Sequence, residues 1–375
     1  MKDFASIVAA VKPKKRNERL YILTALYCLG AVRTPVTATE IRKFLGLQLR
    51  SKAPAANRIG GRLRRYSPDA AIAEEGPPLK WTLKESGIQY LQKATNISLS
   101  TEADEDRFGV DIAIICALED PEFRAVVDAL GGDSRWKEIR DGRHTHVYRE
   151  TELVTDGGKR LKVVGISSTT MGLTAAAIST TQLIFRFKPR IVVMTGIAAG
   201  TKGGGKQFGD VLVADPSVDY NSGKVVFENG VRDFQPDPYP VSLNPRLRTV
   251  LARYRGSHPL FGTIRTRWTG KVPPTMNRLH VGPVGAADQV IDDPTRIIEI
   301  QRSWRKLIGI EMETYGVYRA CSEAPDPKPR FVSFKAVCDF AAHKTDSWQP
   351  YAAFMAAEFA VRFLKAEWDN LWPTE

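Results

Sequence analysis

Residues 190–200, RIVVMTGIAAG, run from β-branched and apolar side chains into a glycine-bounded series of small ones. Such a run suits a strand buried on both faces and stopped at glycine. Just upstream, GLTAAAISTTQLIFRF (172–187) reads as a helix rich in Ala and Thr, and KRLKVVGIS (159–167) and HTHVYRET (144–151) read as strands. Earlier still, the buried strand VDIAIICAL (110–118) precedes the helical PEFRAVVDAL (121–130). Buried strands alternating with helices imply an α/β domain with a largely parallel central sheet covered on both faces. Ligands of such sheets bind outside the carboxyl ends of the strands, where Glu122, Gly196 to Gly200 and Asp339 all fall.

The chain of 375 residues exceeds what one hydrophobic core usually serves, and charge shows where it divides. Residues 1–100 hold 18 Lys/Arg and 7 Asp/Glu, a net of +11, and the whole chain is +12, which leaves +1 for the remainder. The basic excess suggests a polyanionic partner for the first hundred residues; a solvated basic surface explains it as well. Small polar residues and four acids in NISLSTEADEDRFG (96–109) break the apolar pattern. The expected organisation is therefore a basic N-terminal domain over 1–97, an acidic linker over 98–107 and an α/β domain over 108–375. Cys28, Cys116, Cys321 and Cys338 have no metal-ligand spacing, which argues against structural zinc and a disulfide scaffold. The lysines and arginines of KPKKRNER (12–19) interrupt the first apolar residues, and no apolar run is long enough to span a bilayer. A soluble, cytoplasmic protein is expected.

Within the basic domain, ERLYILTALYCLGA (18–31) reads as an amphipathic helix, and TATEIRKFLGL (37–47) as a second one opened by a Thr cap ahead of Glu40. APAANRIGGRLRRY (53–66) makes a third, and AAIAEE, GPP and LKWTL a hairpin before the last helix, ESGIQYLQ (85–92). Three helices and a hairpin resemble a winged helix-turn-helix, a small α+β domain. The resemblance places Arg58, Arg62, Arg64 and Arg65 on the recognition element and Lys80 on the wing, as nucleic-acid contacts. Winged helices also serve as dimerisation or partner-docking modules, so DNA and protein partners both stay open. Gly60 and Gly61 count against a stable third helix.

Chemistry concentrates near the C-terminus. LIGIEMETYGV (307–317) sets Glu311, Met312 and Glu313 side by side, and VSFKAVCDFAAHKTDSWQPYAA (332–353) delivers Asp339 from the end of an apolar strand. Three carboxylates and a thioether around one pocket suit cleavage of a ribosyl bond. The same residues have plainer readings: Asp339 as a cap, and the two glutamates as the start of an amphipathic helix. On a helix, acids one residue apart point to different sides, so one of the pair is expected in solvent unless the segment is irregular.

Five motifs in order, VDIAIICALEDPEFRAV, VVMTGIAAG with FGDVLVAD, HVGPVGAADQVIDD, IGIEMETYGV, and FKAVCDF with DSWQPYAA, resemble the nucleoside phosphorylase and nucleosidase superfamily over residues 108 to about 368. That family includes methylthioadenosine/S-adenosylhomocysteine nucleosidase and AMP nucleosidase. The resemblance implies a three-layer α/β fold and gives each residue a role. Asp339 would protonate purine N7, and Glu122 and Glu311 would hold or deprotonate the attacking water. Glu313 would accept hydrogen bonds from the sugar hydroxyls, and Met312 would pack on the sugar. Gly196, Ile197, Ala198, Ala199 and Gly200 would lie along the nucleoside, while Gln289, Val290 and Ile291, within the segment Ala287 to Ile291, would read the base edge. The family often stacks an aromatic residue on the purine at or near Val290; this chain has none there.

Phosphorylases of the family carry a GDPxR-like loop near the first strand, where this chain has ALEDPEFR (117–124). An anion is poorly tolerated beside Glu119, Asp120 and Glu122, so water is the better nucleophile than phosphate. The expectation is hydrolysis of a purine, adenine for preference, nucleoside or nucleotide, with no cofactor and no metal. Lys202, Lys206, Arg143 and Lys344 are candidates to meet 5′ phosphates. Fusion to a winged-helix-like module resembles nucleotide-depleting effectors of bacterial antiviral defence, and the family implies a homodimer or larger oligomer. Two alternatives remain: a phosphorylase, and a DNA-binding regulator that senses a nucleoside without cleaving it.

Overall fold

The computed structural model describes residues 4–11, 17–31, 35–49, 54–66, 69–74, 77–95, 108–139, 145–201, 205–228, 230–237, 239–256, 258–341 and 346–372. The chain divides into two compact units, Met1–Arg107 and Phe108–Glu375. The linker expected at 98–107 lies outside the described residues.

In the first unit, α1 (Phe4–Ala9), α2 (Glu18–Cys28), α3 (Ala38–Leu49), α4 (Ala56–Arg65) and α5 (Glu85–Thr95) surround a small sheet of β1 (Val36–Thr37), β2 (Ala70–Glu74) and β3 (Lys80–Leu83). The Thr37 hydroxyl accepts from the Glu40 amide at 3.2 Å, and the Glu40 carboxylate accepts from the Thr37 amide at 2.6 Å, so α3 opens on a reciprocal capping box. Strand β3 pairs antiparallel with β2 and, unanticipated by the sequence pattern, with the two-residue β1. The core gathers Leu23, Leu26, Leu45, Leu63, Trp81 and Leu91. Helix α4 runs unbroken through Gly60 and Gly61. Ile59 and Leu63, one turn apart, bury its inner face and hold it.

The second unit is built on nine strands: β4 (Val110–Cys116), β5 (Lys137–Ile139), β6 (Tyr148–Val154), β7 (Arg160–Ser167), β8 (Pro189–Gly200), β9 (Val211–Asp219), β12 (Leu279–Ala286), β13 (Gly309–Glu311) and β14 (Arg330–Asp339). Between β9 and β12, β10 (Gly223–Glu228) and β11 (Val231–Pro236) form a separate ribbon. The sheet order is β13-β12-β9-β14-β8-β4-β7-β6-β5, and β13 also pairs with β8, so one end of the sheet closes on itself. Parallel pairs occupy the centre (β7/β4, β4/β8, β8/β14, β9/β12, β12/β13), and antiparallel pairing is confined to β5/β6/β7, β14/β9 and β13/β8. The arrangement is α/β, with a parallel core and antiparallel additions.

Helices α6 (Arg124–Ala129), α7 (Leu173–Phe187), α8 (Pro245–Ala252), α9 (Leu260–Arg265), α10 (Pro294–Ser303), α11 (Thr314–Ser322) and α12 (Gln349–Leu371) cover the sheet. Alanines 352, 353, 356, 357 and 360 let α12 approach the strands closely, and its Phe359 and Phe363 meet Phe334 of β14 with ring centroids 5.5 and 5.4 Å apart. Among the described residues, no helix is long and apolar enough to cross a membrane.

Candidate active site

Four strands, the mutually parallel β4, β8 and β14 and the antiparallel β13, deliver the chemistry from their carboxyl ends. Beyond β4 the chain makes a tight turn over Glu119–Phe123, which carries Glu122 inward, 1% exposed. Its Oε2 accepts from the Ala117 and Leu118 amides at 2.8 and 2.9 Å, and its Oε1 from the Ile197 amide at 2.8 Å. This carboxylate lies over Gly196, where a Cβ would stand 2.1 Å from Oε1. Only glycine fits there, whatever its φ. Of the other two acids in the turn, Glu119 reaches Arg149 at 2.6 Å and Ser167 Oγ at 2.7 Å, and neither it nor Asp120 faces the cavity.

Glu311 ends β13, and α11 begins at Thr314, so the three residues that carry the acids switch from strand to helix instead of forming a helical turn. This is the irregular case in which neither glutamate need face solvent: Glu311 is 8% and Glu313 4% exposed. Glu311 accepts from the Glu313 and Thr314 amides, both at 2.9 Å, and serves the first turn of α11. Glu313 Oε1 accepts from the Gly172 amide at 3.2 Å, where α7 begins. At the same helix end, Asp288 Oδ1 accepts from the Leu173 amide at 2.5 Å.

What joins the three glutamates is Lys335, on β14 directly opposite Gly196 of β8 and 2% exposed. Its Nζ lies 3.0 Å from Glu313, 3.7 Å from Glu122 and 3.7 Å from Glu311. Burial works to strip Lys335 of its proton, yet the three carboxylates together hold its pKa well above the usual value. Burial likewise raises Glu122, against the pull of Lys335. It raises Glu311 to about 7, again opposed by Lys335 and reinforced by Glu313. One ammonium cannot neutralise three carboxylates, and a proton shared at Glu311 reduces the imbalance. The sequence reading passed over Lys335, although a lysine inside the apolar run VSFKAV was the available signal.

Asp339 ends β14. A bulge at Cys338 shifts the β14/β8 register and sets Asp339 opposite Ala199. Its Oδ1 accepts from the Ala341 amide at 2.7 Å, so the plainer capping role is real. The residue nonetheless lines the same cavity as the glutamates. That cavity, of about 260 Å³, brings together Glu122, Ile197, Ala198, Ala199, Gln289, Val290, Ile291, Glu311, Met312, Glu313 and Asp339. Gly196 and Gly200 stand behind the lining; a Cβ on Gly200 would come within 3.1 Å of Val337. Val290 is 62% exposed, at the open mouth. Met171, Asp346 and Gln349, which the sequence reading did not single out, also line it, with Ala117, Leu118, Ile310 and Cys338. Of the cations proposed for a 5′ phosphate, Arg143, Lys202 and Lys344 lie outside the described residues, and Lys206 donates to the Thr201 carbonyl at 3.3 Å.

In the N-terminal unit, Arg58 and Arg62 both pair with Glu18 of α2, at 3.7 and 3.2 Å, while Arg64 and Arg65 are exposed. Lys80 opens β3 opposite Thr37 and Glu74.

A profile of the Phosphorylase superfamily matches residues 111–363. A death domain-containing ATP nucleosidase of Amphimedon queenslandica is 26% identical over 278 residues, 70% of this chain but only 50% of that longer protein. A 5′-methylthioadenosine/S-adenosylhomocysteine nucleosidase of Bacillus velezensis is 28% identical over 57% of this chain and 85% of its own. Among solved structures, the nucleosidase of that name from Neisseria meningitidis, in complex with methylthio-immucillin-A, superposes with a TM-score of 0.52 and 23% identity, over 68% of this chain and 98% of its own. With the matched segment spanning the whole sheet and every cavity-lining strand, the chain belongs to the phosphorylase superfamily.

Proposed function

We propose that the C-terminal unit hydrolyses the N-glycosidic bond of an adenine nucleoside or nucleotide. The observation that carries this reading is the composition of the cavity. Among its described lining residues stand five carboxylates, Glu122, Glu311, Glu313, Asp339 and Asp346, and no Lys, Arg or His, while the buried Lys335 is committed to three of them. Among these described residues inorganic phosphate would find no cation, whereas water would find several acceptors. The similarity to nucleosidases acting on ATP and methylthioadenosine points to the same bond.

In this reading Asp339 protonates N7 of the base and turns it into a neutral leaving group. Positive charge then develops on the ribose, where Glu313 accepts from the hydroxyls and the buried carboxylates face the ring with little water to screen them. Glu311, near neutral pKa, receives the proton of the attacking water, and Glu122, pinned by three backbone amides, orients it. Met312 and the small residues Ala198 and Ala199 give the sugar a close-fitting wall.

Incubating purified protein with adenosine, methylthioadenosine, AMP and ATP and separating the products tests the reading. Free adenine from at least one is expected; none from any purine substrate ends it. Adenine release from AMP or ATP would support a nucleotide-depleting effector of antiviral defence, and release from the nucleosides alone would remove that role. For the N-terminal unit we propose docking of a nucleic acid or protein partner along α4. Its Asn57, Gly60, Gly61 and Arg64 line a groove with Pro78 and Leu79, and a Cβ at either glycine would meet no other described element within 4 Å. A salt-dependent gel shift by the full chain separates nucleic acid from protein.

A further inference from the structure

A second cavity, of about 590 Å³, opens between the β10/β11 ribbon and α10 and shares no lining residue with the carboxylate cavity. Its walls carry Arg232, Arg296 and Arg302 together with Tyr220 and Trp304. Tyr220 is only 2% exposed, and neither its hydroxyl nor the Trp304 indole N–H has a hydrogen-bond partner among the described residues. Guanidinium groups only donate, so the three arginines that line this cavity call for a ligand rich in acceptors. Asp233 and Glu299 also lie in the wall; Glu299 is taken up by Arg296 at 3.1 Å, and Arg296 further meets Asn221 at 3.4 Å. The volume is that of a small-molecule site, and arginine forks match phosphate geometry.

We propose that this cavity is a second binding site, for a ligand bearing a polyphosphate. The three arginines would meet the phosphates, with Tyr220 and Trp304 forming part of the wall. The site also lies near the catalytic strands: Asp219, the last residue of β9, pairs with Ala286 of β12, which pairs with Glu311 of β13.

The test uses full-length Asp339→Asn protein, so that turnover plays no part and failure of the hydrolytic reading leaves it intact. Inorganic triphosphate, which carries no base, is titrated calorimetrically at physiological salt. One saturable site per chain is expected, with affinity weakened about tenfold or more by Arg302→Ala and by Arg232→Ala, since each removes a charged donor. Arg302→Lys, which keeps the charge but loses the fork, should fall between. Melting temperatures of the ligand-free variants should match the parent. Absence of saturable binding overturns the proposal. So does binding that survives Arg302→Ala and Arg232→Ala but is lost in Arg64→Ala/Arg65→Ala, which would assign the anion to the basic N-terminal unit.

Discussion

Charge is handled in opposite ways at the carboxylate cavity and on the arginine helix α4. At the cavity, Glu122, Glu311, Glu313 and Lys335 are all at most 8% exposed, and each is fixed by partners from other strands. On α4, Arg58 and Arg62 share one glutamate, and Arg64 and Arg65 stand in solvent. Burying four charged groups is unfavourable and persists only where the geometry satisfies them or function demands them. Exposed arginines cost the fold little and leave their charge available at long range. A substitution in the first region should therefore change chemistry and stability together. In the second it should change association alone.

The sharpest break is Asp339→Asn, which keeps the shape of the cavity and removes the acid: base release should fall about 10²- to 10⁴-fold while substrate binding persists. Unchanged rates would favour a nucleoside sensor over an enzyme. Lys335→Met leaves three carboxylates without their common cation, and urea denaturation should record a loss of about 3–5 kcal/mol. Gly196→Ala sets a methyl group 2.1 Å from Glu122 Oε1 and must displace that carboxylate. Misplacement on this scale should lower kcat/KM about 10²-fold, and full activity in this variant would dissociate Glu122 from catalysis.

The pH profile sharpens the contrast further. Glu311 is raised from 4.5 to about 7 in the folded chain, so between those values the folded state holds a proton that the unfolded state releases. Its contribution to stability is fully present below pH 4.5 and fades as pH rises to about 7. Activity should move the other way, because a base must be ionised: kcat/KM should climb through about pH 7, a rise that Glu311→Gln abolishes. Smallest of all, Arg64→Ala with Arg65→Ala should alter unfolding free energy by no more than about 0.5 kcal/mol. If α4 meets nucleic acid, the same pair should flatten the salt dependence of binding by about two phosphate contacts.

Much of this was legible in the chain because it is local. The alternation of apolar strands with helices gave the α/β class, and ALEDPEFR, RIVVMTGIAAG, IGIEMETYGV and FKAVCDF each mark a strand end. Of the three acids in ALEDPEFR, Glu122 lines the cavity, while Glu119 turns to Arg149 and Ser167. Local rules left Glu311 and Glu313 undecided, one of them in solvent on a helix or both inside an irregular segment, and the two fall between a strand and a helix. They also gave no sign that β13 would close the sheet onto β8.

By itself, then, the sequence determined the order and type of the main elements and which segments carry carboxylates, because hydrophobic periodicity and glycine placement act over a few residues. The tertiary structure alone decided that Glu122, Glu313 and Lys335 share one buried ion cluster across more than two hundred positions, and that Gly196 must lack a side chain because Glu122 lies against it. It also decided that the Tyr220 hydroxyl and the Trp304 indole N–H are buried without a hydrogen-bond partner among the described residues. Burial and pairing depend on which strands become neighbours, and that is set by the packing of the whole sheet.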